Sequence, residues 1–248
     1  MFTGFSPATY DFLLGIALNN DRAWFNQHKQ DYVNHLSKPM KALADDVFDA
    51  LTDRCPDRDL LCKVARIYKD ARRCRGVEFY KTSLWFSILP PVENWQDAPG
   101  FWFEVSRSGW NYGMGLFMPK AATMARHRAR IDADPAALTK LDAKLKRQTE
   151  FHLEGQSYAK PKPGAPAKLE GWYSLKNPNL IHEDNDVAQT YDGPALVERL
   201  VKGFAFLMPY YDYFYALCEA AQGGLERPTP EICLSIFRPR GHTTLIQR

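Results

Sequence analysis

The chain has 248 residues, a net charge of +3, 45% hydrophobic residues and 25% charged residues. That composition suits a folded domain with a sizeable core and excludes a disordered, collagenous or coiled-coil chain. So mild a charge excludes a nucleic-acid binder argued from bulk charge alone. Five cysteines without a CxxC pair argue against a disulfide framework or a structural zinc site and fit reduced thiols in the cytoplasm.

The elements follow in order. The opening MFTGFSPATYDF lacks the basic start and apolar run of a secretory signal. Ser6-Pro7 predicts a helix start, with Ser as cap and Pro at the first helical position. Phe12, Leu13, Ile16 and Ala17 then recur at helical spacing. Asn19-Asn20-Asp21 breaks that helix and caps a second, whose apolar stripe is Trp24, Phe25, Tyr32 and Leu36. Ser37 and Pro39 predict the start of a third, with Met40, Leu43, Val47, Phe48 and Leu51 inward.

The period changes in the middle of the chain. Segments 61–69, 82–89, 101–107 and 110–118 are rich in β-branched and aromatic residues. Ser83, Trp85 and Ser87 alternate with Leu84, Phe86 and Ile88, which is strand periodicity. Ser108-Gly109 predicts a hairpin turn. A basic helix over 120–132, with Arg126, His127, Arg128 and Arg130, precedes a helix capped by Asp134-Pro135. Residues 155–194 read as a long loop. Gly193-Pro194 opens a helix that Pro209 should end or kink. No apolar run reaches the ~20 residues that span a bilayer, so no membrane partner is expected. The fold class read from this pattern is α+β: one domain over 1–248, with an antiparallel sheet from the middle of the chain packed by N- and C-terminal helices.

Charge is concentrated in one place. Segment 63–81 holds seven basic residues against Asp70 and Glu78, a net +5 that leaves the rest of the chain at −2. If it is extended, Arg66, Tyr68, Asp70 and Arg72 share one face, because strand side chains alternate. Asp70 between two guanidinium groups would stay ionised and orient them, and Arg presents a planar fork suited to phosphate or carboxylate. The candidate anion-binding residues are Arg66, Lys69, Asp70, Arg72, Tyr80 and Lys81. The bland reading is a charged edge strand of the kind that blocks aggregation. A phosphorylated small molecule or nucleic acid is the expected partner. Trp24, Trp85, Trp102 and Trp110 are the aromatic residues that could stack on bases, against the simpler reading that they are core.

The chain resembles the DUF2461 family over about residues 2–220. The resemblance is carried in order by FTGFSPATYDFLLGIALNNDRAWFNQHKQDYVNHLSKPM, RIYKDARRCRGVEFYKT, APGFWFEVS, GMGLFMP, FHLEGQSY and WYSLKNPNL. It implies a fold and no activity. Within 66–81, Arg66, Ile67, Tyr68, Asp70, Arg72, Tyr80 and Lys81 hold the family pattern. Arg73, Gly76, Val77 and Phe79 stand where the family tends to have Phe, Asp, Lys and Pro. Residues 221–248 are a divergent C-terminal extension, read from Arg227 onward as either a lineage-specific extra strand or a divergent terminus.

Other chemistries find little support. His28 and His35 lie seven apart with Asp31 between them, which is not a recognised metal spacing; no metal and no cofactor is expected. His152, His182, Glu183, Asp184 and Asp186 form a polar group better read as solvated or capping. No GxSxG, Walker A or Rossmann fingerprint occurs. Two functional readings remain: a binding protein for anions at 63–81, or an enzyme acting there on a phosphorylated or nucleic-acid substrate, with Asp70 or Tyr80 moving the proton.

Overall fold

A computed structural model describes residues 1–70, 78–160 and 162–219. Arg72, Arg73, Cys74 and Arg75, and the C-terminal extension from 220 with its expected extra strand, lie outside the described residues.

Ser6 is extended and Pro7 opens α1, Pro7–Leu18. The Ser6 amide donates to Thr9 Oγ1 at 3.2 Å, which satisfies a donor at the helix start. Asp21 caps α2, Arg22–Gln27, by accepting the Trp24 N–H at 2.9 Å. The helix expected from Ser37–Pro39 is present, but it follows an earlier helical stretch without a break. A helical turn, Lys29–Asp31, runs through a π-helical stretch, Tyr32–Ser37, into α3, Lys38–Arg54, and Ser37 has helical angles of φ −71° and ψ −46°. Pro39 has no N–H to offer the carbonyl four residues back, that of His35. The Thr9 hydroxyl donates to that carbonyl at 2.6 Å, so α1 supplies the bond that proline cannot make.

Six strands form one sheet: β1 Leu61–Val64, β2 Ser83–Leu89, β3 Pro99–Ser106, β4 Gly109–Leu116, β5 His152–Glu154 and β6 Asn179–Asp184. Their order is β1-β2-β3-β4-β6-β5, and every pairing is antiparallel. The α+β reading is thus correct, and the hairpin at Ser108-Gly109 is present, with Ser106 opposite Gly109. β6 lies inside the stretch read as a loop. The longer helices among the remaining described residues are α4 Ala121–Ala133, α5 Ala136–Leu145 and α6 Gly193–Glu219, with a single helical turn at Glu170–Tyr173. Pro209 neither ends nor interrupts α6. None of the helices in the described residues is long and apolar enough to cross a membrane.

One face of the sheet is sealed. Leu84, Phe86 and Ile88 of β2, Phe101, Phe103 and Val105 of β3, Tyr112 and Met114 of β4, and Leu180 of β6 are buried. α3 lies against β1 and β2, and α6 against β3 and β4. The Phe204 ring of α6 sits 5.1 Å from Phe101 and 5.8 Å from Tyr112. Each such side chain contributes roughly 1.5–3 kcal/mol by leaving water. Trp110 is 2% exposed and Trp24 packs at the edge of the core, so two of the four tryptophans are core residues.

The opposite face carries the alternate residues. Trp85, Leu89, Trp102 and Ile181 are partly exposed and belong neither to the core nor to the side chains packed against it. Strand register sets Lys63, Ser87, Trp102, Gly113, Ile181 and His152 in one row across all six strands.

Thr9→Val keeps the side chain's shape and removes both the donor to His35 and the acceptor of the longer bond from Ser6 N–H. The orphaned carbonyl should lower the unfolding free energy by about 1–3 kcal/mol in a urea titration. An unchanged midpoint would show that the helix needs no outside donor at Pro39.

Candidate functional site

The basic segment is a hairpin that prolongs β1 and β2. Lys69 N–H donates to Phe79 O at 2.9 Å and Lys81 N–H to Ile67 O at 2.8 Å, on either side of the Tyr68–Tyr80 bridge. From the Val64–Phe86 pair to the Tyr68–Tyr80 pair the first arm takes four steps and the second takes six, so two extra residues bulge the return arm. Arg66, Tyr68 and Asp70 are exposed while Ile67 is fully buried, and the Tyr68 ring lies 5.4 Å from that of Tyr80, its partner across the hairpin. Asn20 clamps the return arm to the α1–α2 turn. Its amide donates to Tyr80 O at 2.9 Å and its carbonyl accepts from Tyr80 N at 2.8 Å.

The six sequence candidates separate on this frame. Lys81 Nζ donates to the Arg66 carbonyl at 2.6 Å and sits 4.2 Å from the centre of the Trp85 ring. Burial, then the charges of Arg66 and Lys63, push the Lys81 pKa down; burial and Arg66 do the same to Lys63. Lys63, Arg66 and Lys81 are therefore within electrostatic reach of one another. No carboxylate among the described residues pairs with Arg66 or Lys81. Lys69, by contrast, is bound to Glu78 at 2.8 Å. Asp70 is exposed where the outgoing arm leaves the described residues.

Tyr80 is 4% exposed and stacks on Phe25, with ring centres 4.1 Å apart. Burial, then Tyr68, raises its pKa. Its side chain belongs to the packed side of the hairpin, away from Lys81. Sequence alternation gave the signal, since Tyr80 shares the parity of Leu84 and Phe86. Sequence reading missed Lys63 and Trp85 as neighbours of Lys81, which only register brings together.

The second basic group serves the helical layer. Arg126 Nε donates to Leu217 O at 3.0 Å, Arg130 Nη1 donates to Tyr213 O at 3.0 Å, and the Arg130 guanidinium lies 4.4 Å from the Tyr213 ring centre. These cations fasten α4 to α6. His127 is fully buried between them, with Nε2 3.2 Å from Trp172 O, and burial pushes its pKa down to about 4.

A polar network missing from the sequence reading closes the other end of the sealed face. Glu150 accepts from Tyr112 Oη at 2.5 Å and from Arg199 Nε at 2.9 Å. Arg199 also donates to Gln189 and lies 3.0 Å from His182 Nε2, while His182 Nδ1 lies 2.9 Å from Glu150 O. Burial pushes Glu150 up, but the bonds from Arg199 and Tyr112 hold it below the usual range. Every partner is engaged, so the network ties α6 to β4 and β6. No sequence signal joins residues 49 positions apart. At the far edge of the open face His152, Glu154 and Glu183 bring their ligating atoms within 4.8 Å of one another; all three are exposed. They make that edge acidic.

The family model described as "Conserved hypothetical protein (DUF2461)" matches residues 8–213. No curated protein matches the chain.

His127 gives the fold a pH dependence with a definite sign. Its folded pKa lies below the unfolded value, so the unfolded chain takes up the proton first as pH falls. The stability His127 contributes is present above about pH 6.5 and is lost towards pH 4. Moving from pH 7 to pH 5 should cost about 2 kcal/mol. His127→Leu should flatten that slope in paired urea titrations, and an unaltered slope would place the titration elsewhere.

Proposed function

The chain belongs to the DUF2461 family, and we propose that this member binds a phosphate-bearing ligand at hairpin 63–81. The crowding of Lys63, Arg66 and Lys81 is the observation that carries this reading. Like charges lower one another's proton affinity, and an incoming anion would relieve that repulsion while pairing with Arg66 and Lys81. The indole of Trp85 holds the Lys81 ammonium in place, an interaction worth about 0.5–1 kcal/mol at an exposed site. Arg22 of α2 adds a cation nearby, 4.6 Å from the Phe79 ring centre. Asp70 remains part of the proposal, as does Arg72, which lies outside the described residues. Lys69 and Tyr80 support the hairpin, one through Glu78 and the other through Phe25.

The alternative is an enzyme acting on a phosphorylated or nucleic-acid substrate at the same segment. It needs a group that moves a proton. Tyr80, with its buried ring and raised pKa, is poorly suited to that role, which favours binding. Cytoplasmic residence is part of the same reading, supported by the free thiols of Cys55, Cys62 and Cys218.

The double variant Arg66→Ala/Lys81→Ala should leave a heparin column at markedly lower salt than the parent. The salt slope of binding to a polyphosphate should fall by about two, one for each cation removed. Lys69→Ala, whose charge is already met by Glu78, should elute with the parent. Equal retention of the double variant and the parent would remove the proposal.

A further inference from the structure

The open face of the sheet places a second feature beside the cations. Trp102 stands on β3, two strands from Lys63 and in the same row, which is roughly 10 Å at the usual strand spacing. Its indole reaches across β4. Nε1 donates to Asn111 Oδ1 at 2.8 Å, and Cζ2 would lie 3.0 Å from a β-carbon added at Gly113. The ring therefore lies over the one position in its path that has no side chain. Asn111 in turn donates to Glu104 Oε2 at 3.2 Å, which fixes the amide that fixes the indole. Trp102 is partly exposed and outside the core. Trp85 lies on the adjoining strand, diagonal to it.

An aromatic platform held flat on an open antiparallel sheet, next to clustered cations, has the chemistry of a base-stacking surface. Charge selects among its occupants. On the β1–β2 side Lys63 lies on the open face by register and Lys81 sits over Trp85, with Arg66 within electrostatic reach of both; Glu104 stands opposite Trp85, and the β5–β6 side carries Glu154 and Glu183 with His152. A polyanion is drawn to the first side and repelled by the second. A neutral sugar would be indifferent to that polarity. A duplex keeps its base faces stacked on one another and offers none to the ring.

We infer that the open face binds single-stranded nucleic acid, with a base stacked on Trp102 and backbone phosphates at Lys63, Arg66 and Lys81. This deepens the anion-binding reading and rests on it. The strand runs along β2 towards the hairpin rather than across the sheet, because the acidic edge closes the other direction. Trp102 supplies the preference for an unpaired base, and the cations supply the salt-dependent part of the affinity.

The test uses the full chain and a fluorescein-labelled oligothymidylate of roughly 12 nucleotides, within the usual footprint of such platforms. Fluorescence anisotropy should show binding to the single strand and at least about tenfold weaker binding to a duplex of equal length. Trp102→Leu should weaken the single strand about tenfold, the loss expected of one stacked base, and leave elution from heparin unchanged. Trp102→Phe, which keeps a ring, should restore most of the affinity. Should the leucine variant fail to fold, acrylamide quenching of the parent replaces it. The oligonucleotide should protect one tryptophan that is missing in Trp102→Phe, and inorganic polyphosphate should not. Equal affinity of parent and leucine variant, equal affinity for duplex, or protection by polyphosphate would overturn the stacking inference and leave the anion site standing. Failure to bind both heparin and oligonucleotide would remove the anion site and this inference with it.

Discussion

Side-chain alternation along one antiparallel sheet, with a single face sealed by two helices, decides which side chains of the described strands meet the core and which meet water. A strand turns successive residues to opposite faces. The burial of Leu84, Phe86, Phe101, Phe103, Tyr112 and Leu180 against α3 and α6 commits one parity of each strand to the core. The other parity is thereby committed to water. A slip of one residue would send Trp85 and Trp102 into the core and expel Phe86 and Phe103, a loss of several kcal/mol that no surface contact could offset. The register that builds the core is thus the same register that sets Lys81 over Trp85 and Trp102 over Gly113.

The hairpin shows how a charged segment is held without neutralising it. Isolated two-stranded hairpins are marginal in water. This one is fastened on its sealed side by the Tyr80–Phe25 stack and by the two hydrogen bonds from Asn20. Those contacts hold the backbone, so the charged residues need not pair with one another to order it. Lys69 and Glu78 do pair across the arms, at an exposed site where such bonds contribute little. Arg66 and Lys81 meet no carboxylate among the described residues, and the Lys81 ammonium rests on the Arg66 carbonyl and the Trp85 ring. The depressed proton affinity of Lys81 comes first from its burial and then from the charges of Arg66 and Lys63.

Much of this fold is legible in the sequence, and the exceptions have physical causes. Ser6-Pro7, Asp21 and Gly193-Pro194 act locally, through caps and fixed backbone angles, and each marks the boundary it should. The alternation of 83–88 reports its two faces directly. Pro39 does not break its helix because Thr9, thirty positions earlier, donates to the carbonyl that Pro39 leaves bare. β6, with the sequence NLIHED, is short, half polar and preceded by Pro178; it is a strand because β4 and β5 flank it, a property of neighbours that no window on the sequence contains. The site divides in the same way. The cationic cluster is visible as composition, whereas the loss of Tyr80 from it depends on which side of the hairpin is packed and the loss of Lys69 on its pairing with Glu78. The four tryptophans look alike in sequence, yet parity and register send Trp110 inward and Trp102 outward.

Gly113 connects these two levels. A side chain there would collide with Leu180 O, 2.1 Å from the added carbon, and with the Trp102 ring. Its backbone is ordinary, so no turn or left-handed conformation calls for glycine. What calls for it is space: β4 and β6 approach closely, and an indole from β3 lies across the gap. A core residue in that row would have gained nothing from such a gap, because the gap is on the wetted face. The gap lets a large aromatic ring lie down on the sheet rather than stand up from it. A ring that lies down presents its π-face outward, and that face, rather than its edge, is what a planar ligand can use.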